Sequence, residues 1–167
     1  MRKFLVSTVL LAALAPASAA SPEVPETIAA PGEVLVMTLH AQGAQIYECK
    51  ADTSGKLGWR FREPVAALLD QSGRSVGRHY AGPNWELNDG SAIVGRIAGR
   101  AAGATANDIT LLKLDVTSRR GTGGLATVTT IQRLNTRGGA AEGPCGTEGA
   151  FLSVPYAADY AFHERPR

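Results

Sequence analysis

The chain has 167 residues, enough for one domain, and carries 17 basic against 15 acidic residues. That balance excludes the basic face of a nucleic-acid binder and a polybasic contact with anionic lipid. A charged fraction of 19% beside 44% hydrophobic residues excludes a highly charged disordered chain.

Taken in chain order, the sequence opens "MRKFLVSTVLLAALAPASAA". Arg2 and Lys3 form a short positive start, Phe4 to Leu14 an apolar run, and Ala17 to Ala19 a small-residue cleavage site. That order predicts a signal peptide over residues 1–19 and an exported protein, periplasmic or secreted. The run is shorter than the roughly 20 apolar residues that span a bilayer, so no transmembrane segment is expected after cleavage. No cysteine follows the cleavage region, and Arg2 stands beside Lys3 and not a second arginine, which favours the general secretory route. Loss of Arg2 and Lys3 leaves basic and acidic residues equal. Residues 20–32 read as an extended lead-in, because Pro22, Pro25 and Pro31 fix φ and remove donors.

From residue 33 to 167 the pattern has period two, that of a β-rich domain. "EVLVMTL" (33–39) and "AQIYECK" (44–50) predict strands, as does "GWRF" (58–61), with Trp59 and Phe61 on one face and Arg60 on the other. "PVAALLD" (64–70) suits a helical turn or a strand, and "QSGRS" then turns the chain into "VGRHYAG". "WELNDGSAIVG" predicts a hairpin at Asn88-Asp89-Gly90, since Asp-Gly suits the positive φ of tight turns. "ITLLKLDVT" (109–117) predicts a buried strand with Leu112 and Leu114 on one phase. "LATVTTIQRLNT" (125–136) predicts another, and "FLSVPYAADYAFHE" (151–164) a final strand or pair with Tyr160 and Phe162 on one face. No internal repeat, long amphipathic helix or second domain is visible. Eight to ten short strands predict an all-β fold, a single-domain antiparallel sandwich or barrel.

Two cysteines, Cys49 and Cys145, are present. An isolated pair in an oxidising compartment predicts a disulfide; a metal site or a reactive thiol would want closer spacing or a neighbouring histidine. "GTGGLA" (121–126) matches G-x-G-x-x-A, but it leads into a β-branched strand where a dinucleotide site needs a helix, so no cofactor is expected. His40, His79 and His163 stand at no metal-ligand spacing, and no metal site is expected.

The stretch "HYAGPNWELNDGS" (79–91) concentrates polar and aromatic groups. Gly82 and Pro83 suit a corner, Asp89 can cap its own turn, and Tyr80 and Trp85 can bury rings with their polar tips at an edge. His79 and Glu86 are left over. A second polar group, Arg133 and Asn135 with Gly138 and Gly139, has the backbone freedom for an anion nest.

"YEC" (47–49), Trp59, "PVAALLD", "GRHYAGPNWELNDGS", "VTTIQRLNTRGG", Cys145 and "VPYAADYAF" (154–162) together resemble one family of secreted bacterial and fungal proteins, domain of unknown function 3455. The resemblance runs from about Glu33 to Phe162. It implies one β-rich domain with two cysteines available to pair, and no established activity. Some fungal relatives carry a malate dehydrogenase label, which the nucleotide argument above does not support here.

The sequence therefore predicts a non-catalytic exported domain that binds a small molecule, glycan or envelope component, with no catalytic residues assigned. Its candidate surface joins His79, Tyr80, Trp85 and Glu86 with Arg133 and Asn135, because aromatic rings with a few convergent polar groups suit a pocket. The alternatives are a cofactor-independent hydrolase, with His79 as base and Glu86 or Asp89 as partner, and a purely structural envelope protein.

Overall fold

The computed structural model describes residues 24–166. The expected signal peptide (1–19) and the start of the lead-in fall outside them. Eight strands follow a single turn of 3-10 helix at Glu26–Ile28: β1 (Val34–Ala51), β2 (Leu57–Leu69), β3 (Ser75–Tyr80), β4 (Asn84–Leu87), β5 (Ala92–Ala101), β6 (Leu111–Arg120), β7 (Thr130–Gly138) and β8 (Phe151–Glu164). Each pairs antiparallel with the next, and β8 pairs with β1, so the sheet closes into an up-and-down barrel. The all-β expectation holds, and of its two architectures the barrel is the one adopted.

The strands are not uniformly short. "EVLVMTL" and "AQIYECK" belong to one 18-residue strand, which continues through Gly43 between Ala66 and Tyr156 of the flanking strands. Trp59, Phe61 and "PVAALLD" likewise share β2, and "FLSVPYAADYAFHE" is one strand, not a pair. Long strands arise because a closed eight-stranded sheet must tilt and stagger, which carries its strands past the length of a flat pleat. The start of "LATVTTIQRLNT" is not strand: Gly124 to Thr127 form a turn, and β7 begins at Thr130.

Alternation places the core. Leu39 and Ala41 of β1, Leu68 of β2, Ile93 of β5, Leu112 and Leu114 of β6, Ile131 of β7, and Tyr156, Ala158, Tyr160 and Phe162 of β8 point inward and are buried. Full burial of one such aliphatic or aromatic side chain stabilises by about 1.5–3 kcal/mol. At one end the β6–β7 connection covers the barrel with Leu125 and Val128, both fully buried. "GTGGLA" lies in this cover and leads into no helix. Gly123 is required there by space: a Cβ would stand 2.2 Å from a carboxylate oxygen of Asp89.

The 3-10 turn packs on the outer wall. Ile28 is fully buried, and its carbonyl accepts from the Gln132 amide at 2.6 Å. Thr27 donates to the Arg100 carbonyl, and Glu33 accepts from Thr130 at 2.9 Å. The lead-in is therefore a strap over β5 to β7.

Three hairpin loops reuse one device. Asp52, Asp70 and Asp89 each accept, on one carboxylate oxygen, the backbone N–H and hydroxyl of the serine two residues on. "DTSGK" and "DQSGR" are a short repeated pattern that sequence reading passed over. The serine hydroxyl is the largest of the hydrogen bonds holding all three carboxyls below their usual range. Asp89 also takes the Gly124 N–H at 2.8 Å, which ties the hairpin to the barrel's cover.

Candidate binding cup

The covered end leaves the other half of the barrel open. There the inward phase changes from aliphatic to aromatic and polar, and the walls enclose a cavity of about 550 Å³. An eight-stranded barrel has room for packed side chains or one small ligand, and this one divides its length between the two.

His79, Trp85 and Tyr160 form the base. Pairing sets His79 opposite Trp85 across β3 and β4. Their rings stack with centroids 4.4 Å apart and planes 18° from parallel. Tyr160 meets Trp85 edge-on at 5.3 Å and His79 at 4.9 Å. Gly95 makes room for the indole, since a Cβ there would stand 3.0 Å from its ring. His79 Nδ1 lies 2.8 Å from the Asn84 carbonyl oxygen. A carbonyl only accepts, so Nδ1 holds the proton and Nε2 keeps a free lone pair.

Burial drives the His79 pKa down to about 3, and the Arg133 charge adds to the fall against the hydrogen bond to the Asn84 carbonyl. The imidazole is neutral at physiological pH. Its unfolded counterpart titrates near 6.5, so its contribution to stability is fully present above that pH and is lost as pH falls toward 3. The slope is about 1.4 kcal/mol per pH unit, so about 2–3 kcal/mol disappears between pH 7 and 4.5. His79→Asn, whose amide can keep the bond to Asn84, should flatten the dependence by that amount. Urea midpoints of both proteins at the two pH values check this, and parallel pH dependences would refute it.

Arg133 stands half-buried on the β7 wall. Its Nε and Nη2 donate to the Thr110 carbonyl at 3.0 and 2.7 Å. Tyr47 donates to the Gly139 carbonyl at 2.7 Å, and burial pushes its hydroxyl pKa up. Burial likewise raises Tyr156 and Tyr160. Gln45 Nε2, Trp85 Nε1 and the hydroxyls of Tyr156 and Tyr160 are buried without a protein hydrogen bond of ordinary geometry, although the two hydroxyls, Gln45 and Arg133 lie close enough to interact with one another. Orphaned buried polar groups are uncommon. The rim carries Phe61 and Ile97, at 55% and 40% exposure, with Arg62, Arg100, Asp108 and Glu142 between them.

Of the six sequence candidates, His79, Trp85 and Arg133 come together in the cup. Tyr80 and Glu86 alternate to the outer wall. There Tyr80 donates to Glu86 at 2.8 Å, and Arg78 and Arg120 flank the same carboxylate at 3.2 and 3.3 Å. The Tyr80 hydrogen bond is the chief cause holding Glu86 below its ordinary pKa, and that bond also raises Tyr80. Asn135 is also outside, at a bulge in β7 with φ of 50°, donating to Asp159. Asn tolerates that left-handed conformation better than most residues. The wall thus separates His79 from Glu86, and Asp89 is engaged in its own turn at the covered end. The pairing of His79 with either carboxylate, on which the hydrolase alternative depends, does not form.

The glycine nest is filled from within, since the Gly138 N–H donates to Asp108 at 2.6 Å. His40 pairs with Asp159 outside, and His163 Nε2 donates to Gln132 beneath the strap. Among the described residues no group of three or more His, Cys, Asp or Glu side chains could hold a metal ion. Gln45, Tyr47, Asp108 and Tyr160 line the cup and escaped the sequence reading as site residues. For Gln45, Tyr47 and Tyr160 the signal was a polar or phenolic side chain on the inward phase of a long strand, whereas Asp108 lies in the β5–β6 connection.

Cys49 and Cys145 are joined, binding β1 to the β7–β8 loop that lines the cup through Ala140, Ala141 and Glu142. Among the described residues no helix is long and apolar enough to cross a membrane. Neither a curated protein nor a solved structure matches the chain. Residues 30–164 match the family described as "Protein of unknown function (DUF3455)", and the chain belongs to that family.

Proposed function

We propose that this protein is exported and that its barrel cup binds a small molecule without transforming it. The observation that carries the reading is the cavity of about 550 Å³, whose lining sets His79 and Arg133 among the rings of Tyr47, Trp85 and Tyr160. Ligand pockets of roughly 300–1,000 Å³ combine apolar walls with a few placed polar groups. Export is supported by the order of charge, apolar run and small residues at the N-terminus, and by the disulfide.

A native mass spectrum of the protein purified from its own host, beside a denatured control, tests both. The denatured mass should lack residues 1–19 and be two hydrogens lighter than the reduced chain. The native spectrum should carry an additional mass that denaturation releases. A bare native mass, with no shift in melting temperature across a panel of small organic ligands, would favour the structural envelope reading.

A further inference from the structure

The base of the cup holds a positive charge, on Arg133, that no acid pairs with. Among the described residues no ion pair involves Arg133. Its two short hydrogen bonds go to one neutral carbonyl, and its further side-chain partner, the Tyr160 hydroxyl, is also neutral. Trp85, Tyr160 and Gln45 line the cup with it and are nearly fully buried. Trp85 Nε1 and Gln45 Nε2 are donors only.

Two acids, Asp108 and Glu142, line the cup against three arginines, Arg62, Arg100 and Arg133, so the lining keeps a net positive charge. The Asp108 carboxylate accepts from Gly138 and Thr105. Glu142 is exposed on the rim, where Arg62 and Arg100 also stand. A cationic ligand would meet Arg133 at the base. A hydrocarbon would leave the Arg133 charge without a counter-ion. Toward the mouth Pro64 and Pro83 and the exposed Phe61 and Ile97 supply apolar surface among the charged side chains of the rim.

We infer that the cup takes an amphipathic organic anion, its acid group inward on Arg133 and its apolar body outward along Phe61 and Ile97. This rests on the reading of the cup as a binding site and adds the ligand's charge and direction. Arginine suits the role because its planar fork can bind a carboxylate or sulfonate while still anchored to Thr110.

Two dyes with the same ring system separate charge from apolar area: 8-anilinonaphthalene-1-sulfonate, an anion, and N-phenyl-1-naphthylamine, which lacks the sulfonate. Fluorescence titration of the mature, disulfide-bonded protein should show the anion binding at least about tenfold more tightly, the discrimination a charged hydrogen bond supplies. Arg133→Gln should abolish that preference and leave the neutral dye within about twofold, while Arg133→Lys should keep most of it. If Arg133→Gln does not fold, the wild-type preference and the Arg133→Lys titration decide.

Equal affinities for the two dyes, or a preference that survives Arg133→Gln, would overturn the inference and leave a cup for neutral molecules. Binding of neither dye would also overturn it. The broader binding reading falls only if the native mass is bare and the ligand panel gives no shift.

Discussion

Replacing Cys49 and Cys145 together by alanine will lower the unfolding free energy by about 4–5 kcal/mol. The bond joins residues 96 apart in sequence, and closing a loop of that length removes roughly this much conformational freedom from the unfolded chain. For a domain whose total stability is about 5–15 kcal/mol, the change is a large fraction. The bridged loop has other anchors. Cys49 N–H donates to Ala150 O at 2.8 Å, Gly149 N–H to Cys49 O at 2.9 Å and Trp59 N–H to Gly143 O at 3.2 Å. These hold the loop in the folded state, but they vanish on unfolding and so restrain nothing there. Urea titrations of the variant and of the oxidised wild type measure the difference. A loss below about 1 kcal/mol would mean that the unfolded chain is already restrained near this loop. Because the loop carries one wall of the cup, the variant should also bind the anionic dye more weakly where it remains folded.

Trp85→Ala should cost about 3–5 kcal/mol, the range for removing a large aromatic ring from a core. The indole is 1% exposed, stacked on His79 and crossed by Tyr160. Collapse of the surroundings can relieve little of the cavity, because His79, Gly95 and Tyr160 sit on hydrogen-bonded barrel strands. Trp85→Phe separates packing from recognition, since it keeps a ring and removes the N–H. A folded Trp85→Phe protein with weakened dye binding supports a ligand contact. Unchanged dye binding, with only the stability loss of Trp85→Ala, would assign the ring to structure alone.

Period-two alternation made the strands legible, and the Asn88-Asp89-Gly90 hairpin was legible from turn chemistry. Leu112 and Leu114, and Tyr160 with Phe162, were placed on their buried phases for the same reason. The choice between sandwich and barrel was not legible, because it depends on the pairing of β1 with β8 across more than a hundred residues. The same distance hid the site. Within 79–91, adjacency in sequence suggested that His79, Tyr80, Trp85 and Glu86 share a surface, whereas alternation puts the first and third inside and the other two outside. Arg133 was singled out beside Asn135, but a bulge between Leu134 and Arg137 changes the register there. Tyr160 was legible only as sharing a face with Phe162, because a phenol on a buried phase looks the same whether it packs on protein or lines a cavity.

The pairing of β1 with β8 has a consequence for any macromolecular partner. A sheet with free margins can be extended by a strand lent from another chain, with backbone hydrogen bonds supplying affinity and little demand on side chains. Here the first and last strands bond to each other along nearly their whole length, from Val34 with Glu164 to Glu48 with Phe151. Strand donation to this barrel would first require that seam to open. An envelope partner must instead read side chains on the outer wall, where Arg78, Tyr80, Glu86 and Arg120 already satisfy one another, or engage the rim of the cup.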